Sequence, residues 1–133
     1  MEPTPDPSGE LTLRTLAMPK DVNTNGDIFG GWVLSQMDMA AGIVAADRAK
    51  GRVATVAIDA MQFIRPVKVG DVLCIYVAVA RVGRTSMGLQ IEAWVRRRGQ
   101  EGREKVTEGL FTFVAIDEAG RPRPVPSLSD NRS

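Results

Sequence analysis

The chain has 133 residues, of which 44% are apolar and 25% are charged, and its formal net charge is +1. This length suits one domain with its own core, and the balanced charge excludes the basic surface expected of a nucleic-acid-binding protein. No apolar run is long enough to insert into a membrane. The one cysteine, Cys74, can form no internal disulfide, which is typical of a cytoplasmic protein.

The chain contains no histidine. Hydrolases that use a histidine base and zinc sites with histidine ligands are therefore excluded. One cysteine cannot supply a cysteine-only zinc site, so we expect neither a metal nor a cofactor. An enzyme built from these residues needs a carboxylate, a lysine, a tyrosine or a bound water as its base.

The periodicity of apolar residues predicts strands on both sides of one helix. The helix is predicted over Gly30–Ala49; it is apolar on nearly every side, so we expect burial all round, and Lys50 and Gly51 should end it. The short links after the second strand are long enough only for hairpins. The predicted strands are Leu11–Met18, Val53–Ile64, Asp71–Val82, Thr85–Arg96 and Val106–Ile116.

These elements predict an α+β fold in which a five-stranded antiparallel sheet wraps around one long central helix. Residues 1–10 and 121–133 are rich in proline and serine and are expected to be tails, the first of them flexible, which leaves 11–120 as a single domain. One helix cannot cover both faces of such a sheet. We therefore expect the outer face of the sheet to meet another subunit.

Several stretches closely resemble the YciA-like acyl-CoA thioesterases of the hotdog fold, from about Leu11 to Pro126. They are LRTLAMPKDVNTNGDIFGGWVLSQMDMAAGIV, VATVAIDAMQFIRPVKVGDVL, VGRTSM, EAWVRR and TEGLFTFVAID, in the same order and spacing. The resemblance implies a hotdog monomer, a dimer with a continuous sheet, commonly a trimer of dimers, and hydrolysis of acyl-CoA to a carboxylic acid and CoA. It also implies that Asp27, the acid of NGDIFGG, is the catalytic carboxylate.

The surroundings of Asp27 favour the same chemistry without the family. A carboxylate just before a helix can activate a water, and the unpaired backbone amides of the first turn can hold the oxyanion that develops. Gly30 and Gly31 carry no side chain that would block a thioester carbonyl from this backbone. Direct attack by Asp27 through an anhydride also remains open, and so does a structural role as a helix cap or turn residue.

A second acid, Asp38, lies in the middle of the predicted helix. In related two-domain thioesterases, an acid at this position is paired with the motif residue across the subunit interface, so Asp38 is a second catalytic candidate. The alternative is a structural hydrogen bond. Asn25 is a candidate substrate ligand or a turn former, as Asn23 is, and Thr55 and Gln62 are polar residues on a predicted strand that could line the site.

The predicted turn Gly83–Ser86 is the best candidate for binding the CoA phosphates. Gly83 allows the turn, Arg84 offers a cation, and Thr85 and Ser86 offer hydroxyl and backbone donors. This assignment rests mainly on the resemblance, and the alternative is an ordinary hairpin with a solvated arginine. Arg65 is a second phosphate candidate, whereas the run Arg96–Arg98 is predicted to be a solvated hairpin tip.

Three other functions compete with hydrolysis: a hotdog dehydratase or hydratase, a non-catalytic acyl-CoA-binding protein and a purely structural oligomer. Hotdog dehydratases depend on a histidine that this chain lacks. A non-catalytic acyl-CoA-binding or sensing protein would keep the fold and the CoA site without turnover. The sequence does not reveal which acyl chain is preferred.

Overall fold

A computed structural model of the chain describes residues 6–128. Residues 1–5 and 129–133, which belong to the two predicted tails, lie outside the described residues. One α-helix is present in the described range, over the predicted residues, with five strands around it and a single 3-10 turn at Pro19–Asp21. The elements are β1 (Glu10–Leu16), α1 (Gly30–Ala49), β2 (Val53–Ile58), β3 (Val72–Val82), β4 (Ser86–Arg96) and β5 (Glu104–Ala115).

The five strands form one antiparallel sheet in the order β1-β3-β4-β5-β2. The predicted α+β architecture is therefore confirmed. A hairpin at Pro66–Gly70 between the second and third strands was expected and is wrong, because β2 pairs with β5 at the far edge of the sheet. The chain instead crosses from β2 to β3 past the start of α1, where the Ile28 amide donates to the Val67 carbonyl at 3.0 Å.

The second strand is shorter than predicted, since it ends at Ile58 and not at Ile64. Beyond it the chain still follows β5, with the Asp59 amide bonded to Leu110 and the Ile64 amide to Val106. Between these two bonds, the Thr107 hydroxyl donates to the Gln62 carbonyl at 2.7 Å. Beyond Ile58 the chain therefore stays beside β5 through irregular pairing that uses a side chain as well as backbone groups.

The helix packs its small-residue side onto the inner face of the sheet. Its buried residues are Val33, Met37, Ala40, Ala41, Ala45 and Ala49. The left-handed residue that ends it is Lys50 (φ 55°), whereas Gly51 has an extended φ of 159°. No helix within residues 6–128 is both long and apolar enough to cross a membrane.

Burial of the helix on every side is not seen in a single chain. Met39 and Ile43, one turn apart on α1, are 50% and 51% exposed. On the edge strand β2, Val56 and Ile58 are 56% and 41% exposed. The helix and the edge strand, which the Thr55–Asp38 hydrogen bond joins, thus both expose apolar side chains in the monomer.

Both ends of the described chain contact the domain. The Ser8 amide donates to Glu92 at 3.2 Å. Near the other end, the Val125 amide donates to the Arg84 carbonyl at 2.8 Å, and Arg123 donates to the Ala49 carbonyl at the end of α1 at 2.9 Å. Residues outside the predicted domain limits of 11 and 120 therefore also form hydrogen bonds with the domain.

Candidate active site

A closed turn over residues 23–27 leads directly to the start of α1. The Asn23 side-chain oxygen accepts hydrogen bonds from the backbone amides of Asn25 (2.9 Å) and Asp27 (3.1 Å). The Asn23 amide donates to the Asp27 carbonyl at 2.6 Å, and Gly26 has a φ of 82°, which favours glycine. Asn23 is thus a turn former, and Asn25 contributes its backbone to the turn while the residue itself is exposed.

The carboxylate of Asp27 does not cap the helix. The N-cap residue of α1 is Phe29, and no side chain in the described range caps it. The Asp27 carboxylate instead forms an ion pair with the ammonium of Lys68. Because 34% of the Asp27 side chain is exposed, a water or a ligand can reach the carboxylate from the solvent side.

Two backbone amides at the start of the helix have no acceptor. Within residues 6–128, neither the Gly30 amide nor the Gly31 amide donates a hydrogen bond, whereas the next amide, of Trp32, donates to Phe29 at 3.0 Å. A β-carbon placed at Gly31 would have no neighbour within 4 Å, and one at Gly30 would lie 3.4 Å from the ring of Phe63. Space and free donors therefore coincide beside Asp27.

A cleft of about 380 Å³ joins the turn, the helix start and the crossover segment. It brings together three of the predicted site residues, Asp27, Gly30 and Arg65. Arg65 lines the cleft as its one cation among residues 6–128, and Lys68 lies at its border on the Asp27 carboxylate. The lining residues are Asn23, Asp27, Ile28, Gly30, Val33, Phe63, Ile64, Arg65, Pro66 and Val67.

One buried ion pair fixes the wall of the cleft that carries Lys68. The Asp71 carboxylate, in a residue only 4% exposed, accepts from the Lys68 amide at 2.8 Å and from the Arg97 guanidinium at 2.7 Å. The same guanidinium donates to the Pro66 carbonyl at 3.1 Å. The backbone at both ends of the segment 66–68 is thereby tied to one carboxylate and one guanidinium.

Asp38 is not brought into this cleft within one chain. It lies eight residues beyond Gly30, roughly 12 Å along the helix axis at 1.5 Å per residue. Its carboxylate accepts a hydrogen bond of 2.7 Å from the Thr55 hydroxyl on β2. Asp38 and Thr55 therefore link the helix to the exposed edge of the sheet, and Gln62 contributes only the carbonyl described above.

Arg65 lines the cleft but is already paired. Its guanidinium lies 3.1 Å from Glu104 and donates to the Lys105 carbonyl at 3.0 Å. Nearly half of the side chain, 46%, stays exposed. A phosphate could therefore bind its free side without breaking the pair with Glu104.

The predicted phosphate turn is the β3–β4 hairpin, and it lies at the far end of the sheet. The Gly83 amide donates to the Ser86 carbonyl at 2.7 Å, which closes the hairpin, and the Thr85 carbonyl accepts from Ala115 at 2.9 Å. Arg84 is exposed, and its guanidinium has no partner among the described residues. The cleft adjoins the start of β3, so ten strand steps, about 33 Å, separate it from this hairpin.

Sequence reasoning did not find Lys68. It lies 41 residues from Asp27, and no local pattern marks it apart from any other lysine in a link. Asp71 and Arg97 were likewise not singled out as a pair, because only the register of β3 against β4 brings them together. The one local signal was that Lys68 lies in the stretch RPVKVGD, three residues after Arg65.

Comparison with known proteins identifies the family of the chain. The sequence profile of the thioesterase superfamily matches residues 25–101, which include Asp27, the helix and the crossover segment. The acyl-CoA thioester hydrolase YciA of Salmonella typhimurium is 54% identical over 123 residues, covering 90% of this chain and 92% of that protein.

Solved structures show the same fold. A hexameric thioesterase from Yersinia pestis superimposes with a TM-score of 0.86 at 53% identity, covering 91% of this chain and 98% of the other. An acyl-CoA hydrolase from Staphylococcus aureus, in complex with butyryl coenzyme A and coenzyme A, gives 0.80 at 29% identity over 86% of this chain and 70% of the other. The chain therefore belongs to the thioesterase superfamily, as a YciA-like acyl-CoA thioester hydrolase of the hotdog fold.

Proposed function

We propose that the chain hydrolyses acyl-CoA thioesters in the cleft beside Asp27. The observation that carries this proposal is the conjunction at the start of α1. The partly exposed Asp27 carboxylate shares the cleft with Gly30, and the backbone amides of Gly30 and of the following Gly31 have no acceptor in the described chain. A base and an oxyanion site are the two elements that thioester hydrolysis needs.

In the reaction that we propose, the thioester carbonyl lies against the amides of Gly30 and Gly31. The Asp27 carboxylate takes a proton from a water as the water oxygen forms a bond to the carbonyl carbon. The oxyanion that develops is held by the two amides, whose donors need no reorganisation. The carbon–sulfur bond then breaks, the CoA sulfur leaves with the proton, and the carboxylic acid remains. Attack by Asp27 itself, through an anhydride, would use the same two amides.

Lys68 gives Asp27 a fixed orientation. The ammonium lies on the carboxylate, and the backbone of Lys68 is anchored by Asp71, so the carboxylate has a charged neighbour at a defined place. We propose that Lys68 is a positioning residue. It orients the base while the exposed part of the carboxylate faces the water.

We propose that binding of CoA requires a second copy of the chain. The cleft lies at the start of α1. The hairpin of Arg84 lies near the end of α1, since Val125 donates to the Arg84 carbonyl and the nearby Arg123 donates to the Ala49 carbonyl. A 20-residue helix is about 30 Å long. Two copies with antiparallel helices place the hairpin of one copy near the cleft of the other, with Arg84, Thr85 and Ser86 toward the CoA phosphates and Arg65 at the cleft.

The surface that this pairing needs is present. The edge strand β2, with Val56 and Ile58, and the helix side with Met39 and Ile43 expose apolar groups together. An open strand edge with apolar neighbours favours pairing with another strand. We therefore propose a dimer that continues the sheet through β2, and a trimer of such dimers, in line with the hexameric Yersinia pestis protein.

Asp38 lies at the same edge, since it is hydrogen-bonded to Thr55 of β2. We propose that it acts as a second acid of the site once two copies have met. We also propose a cytoplasmic location, because the buried, unpaired Cys74 fits a reducing compartment. CoA is part of the substrate and of the product, and we propose that no further cofactor takes part.

The test is the release of free thiol from a panel of acyl-CoA esters of different chain length, read with a thiol reagent. We expect turnover of at least one ester, together with formation of the carboxylic acid in equal amount. Binding of acyl-CoA without thiol release would contradict hydrolysis and favour a non-catalytic binding or sensing function. The panel also reports the preferred acyl chain.

A further inference from the structure

A second concave surface lies on the outer face of the sheet, and four arginines surround it. We call it the arginine hollow, and its volume is about 460 Å³. No acidic residue lines it. The lining residues are Arg14, Leu16, Gly70, Val72, Arg96, Arg97, Arg98 and Gln100.

The register of three strands builds the hollow. Arg14 on β1 pairs with Cys74 of β3, and Arg96 on β4 pairs with Val72 of the same strand. The two arginines therefore flank β3 from either side, two strand spacings apart, or about 10 Å. Their neighbours along the strands, such as Leu13 and Val95, point to the core, so both guanidinium groups belong to the outer face.

Three of the four guanidinium groups have no acidic partner among residues 6–128. Arg97 is paired with Asp71 and Glu104. Across residues 6–128, the side chains of Arg14, Arg96 and Arg98 form no ion pair and no hydrogen bond. The whole chain carries a net charge of only +1. The hollow is therefore a local excess of positive charge rather than part of a generally basic surface.

Arg96 and Arg98 are exposed, as predicted for a solvated hairpin tip, but a tip does not account for Arg14. A tip would place Arg96–Arg98 alone in water, whereas Arg14 comes from the distant strand β1 to face the same space. The floor is apolar, with Leu16 and the half-buried Val72 between the cations. Guanidinium groups around an apolar floor match a molecule with several phosphate charges and an organic part.

We propose that the arginine hollow is a binding site for an organic polyphosphate, such as a nucleotide. The phosphates bind Arg14, Arg96 and Arg98, and the organic part lies on Leu16 and Val72. The hollow shares no lining residue with the Asp27 cleft. Arg97 connects the two, because it lines the hollow and donates to the Pro66 carbonyl in the wall of the cleft.

Two sources can supply this chemistry, and the experiment separates them. The polyphosphate is either the nucleotide part of a CoA bound by a neighbouring copy or a free nucleotide. The full chain is titrated calorimetrically with ADP, inorganic pyrophosphate, CoA and dephospho-CoA at constant ionic strength. The titrations are made in an Arg84→Ala background, so that the proposed phosphate hairpin does not contribute.

The test variant is Arg14→Gln/Arg96→Gln/Arg98→Gln, with the three single variants beside it in case the triple variant is less stable. The matched control is Arg121→Gln, an exposed arginine that lies outside both the hollow and the cleft. We expect the triple variant to bind ADP and pyrophosphate at least about tenfold more weakly, and the control to bind within about twofold of the parent. Circular dichroism and thermal melting confirm that each variant is folded.

Equal affinity in the parent and the triple variant, or no binding by the parent, overturns the proposal. If binding is lost, the KM for acyl-CoA in the otherwise unsubstituted chain identifies the source. A raised KM for acyl-CoA with an unchanged KM for acyl-pantetheine assigns the hollow to the CoA nucleotide. An unchanged KM for both assigns it to a free nucleotide. Because binding is measured without turnover, failure of the proposed hydrolysis leaves this result intact.

Discussion

The ammonium of Lys68 lies on the carboxylate of Asp27, although 41 residues of sequence separate them. The turn before the helix fixes the backbone of Asp27 through Asn23, and Asp71 fixes the backbone of Lys68. The backbones of both partners of the ion pair are therefore fixed by hydrogen bonds to other side chains. We propose that this arrangement favours one orientation of the carboxylate toward the cleft before substrate binds.

Replacing Asp27 with Asn tests the base. Asn keeps the size of the side chain and removes its charge and basicity, so we expect kcat to fall by roughly 10²–10⁴-fold, as is typical for loss of a general base. KM should change much less, because CoA binding rests on other residues. Thiol release measures both constants.

The control for Asp27→Asn is Asp47→Asn, an exposed acid on the same helix. It should leave kcat unchanged. Folding of the Asp27→Asn protein should be nearly unaffected, since Asp27 does not cap the helix and an exposed ion pair contributes only about 0–1 kcal/mol. A folded Asp27→Asn protein that keeps most of its kcat would move the search for the base to Asp38.

Replacing Lys68 with Met tests positioning. Met retains the apolar stem and loses the ammonium, so the carboxylate should sample several rotamers and kcat should fall by about 3–30-fold, less than for loss of the base itself. The backbone bond from residue 68 to Asp71 remains, so the free energy of unfolding should change by less than about 1 kcal/mol.

Lys68→Arg should restore most of the lost kcat, because a cation returns to the same place. Unchanged kcat and KM in the Lys68→Met variant would show that Lys68 forms only a surface ion pair and does not position Asp27. Chemical denaturation monitored by circular dichroism separates a loss of orientation from a loss of fold.

Replacing Arg84 with Ala tests the phosphate hairpin. We expect KM for acyl-CoA to rise by about tenfold, because a charge-assisted contact to phosphate is lost. Short acyl-pantetheine esters lack the nucleotide phosphates, so their KM should stay the same. An equal loss with both substrates would place Arg84 at the acyl group or in the fold, and Arg84→Lys should retain part of the affinity as a point charge.

Replacing Asp71 with Ala tests the anchor of the cleft wall. The change leaves the Lys68 amide and the largely buried Arg97 guanidinium without their acceptor, so we expect a loss of about 3–5 kcal/mol in the free energy of unfolding. Urea denaturation measures it. Asp6→Ala removes the exposed pair with Arg103 and should change stability by less than about 0.5 kcal/mol.

Replacing Ile43 with Glu tests the proposed dimer surface. A charge placed between the helix and β2 would have to be buried on pairing, at a cost that only a partner charge offsets. We expect light scattering to give a lower mass and activity to fall with it. Leu128→Glu, at an exposed position on the C-terminal segment, is the control and should keep the parent mass. A monomeric parent with full activity would contradict the need for two copies.

Local sequence signals were sufficient for the helix and for the long central strands. The helix begins at Gly30 and ends at Ala49 as predicted, because apolar spacing, the two glycines and the Lys50–Gly51 stop are all local. The end of β2 was missed, since the irregular pairing beyond Ile58 is with β5, and the residues that meet there, such as Gln62 and Thr107, are 45 residues apart. The path from β2 to β3 was missed for a similar reason, because adjacent strands in sequence usually pair and these two do not.

The candidate site divides in the same way. Asp27 and Gly30 were found because one motif carries both a carboxylate and free amides. Lys68, Asp71 and Arg97 were not found, since sheet register and a crossover bring them together. The arginine hollow was not predicted, because Arg14 and Arg96 are far apart in sequence and are brought together only by the pairing of β1 and β4 with β3.

The distance between the cleft and the Arg84 hairpin also has a genetic consequence. If each site takes its carboxylate from one copy and its hairpin from the other, a dimer of an Asp27→Asn chain and an Arg84→Ala chain contains one site with both substitutions and one site with neither. Two alleles that are impaired separately would then complement each other when expressed together, since one site of each mixed dimer, half of the parental number, carries neither substitution. Such interallelic complementation would reveal the shared site in living cells, without purification of the protein.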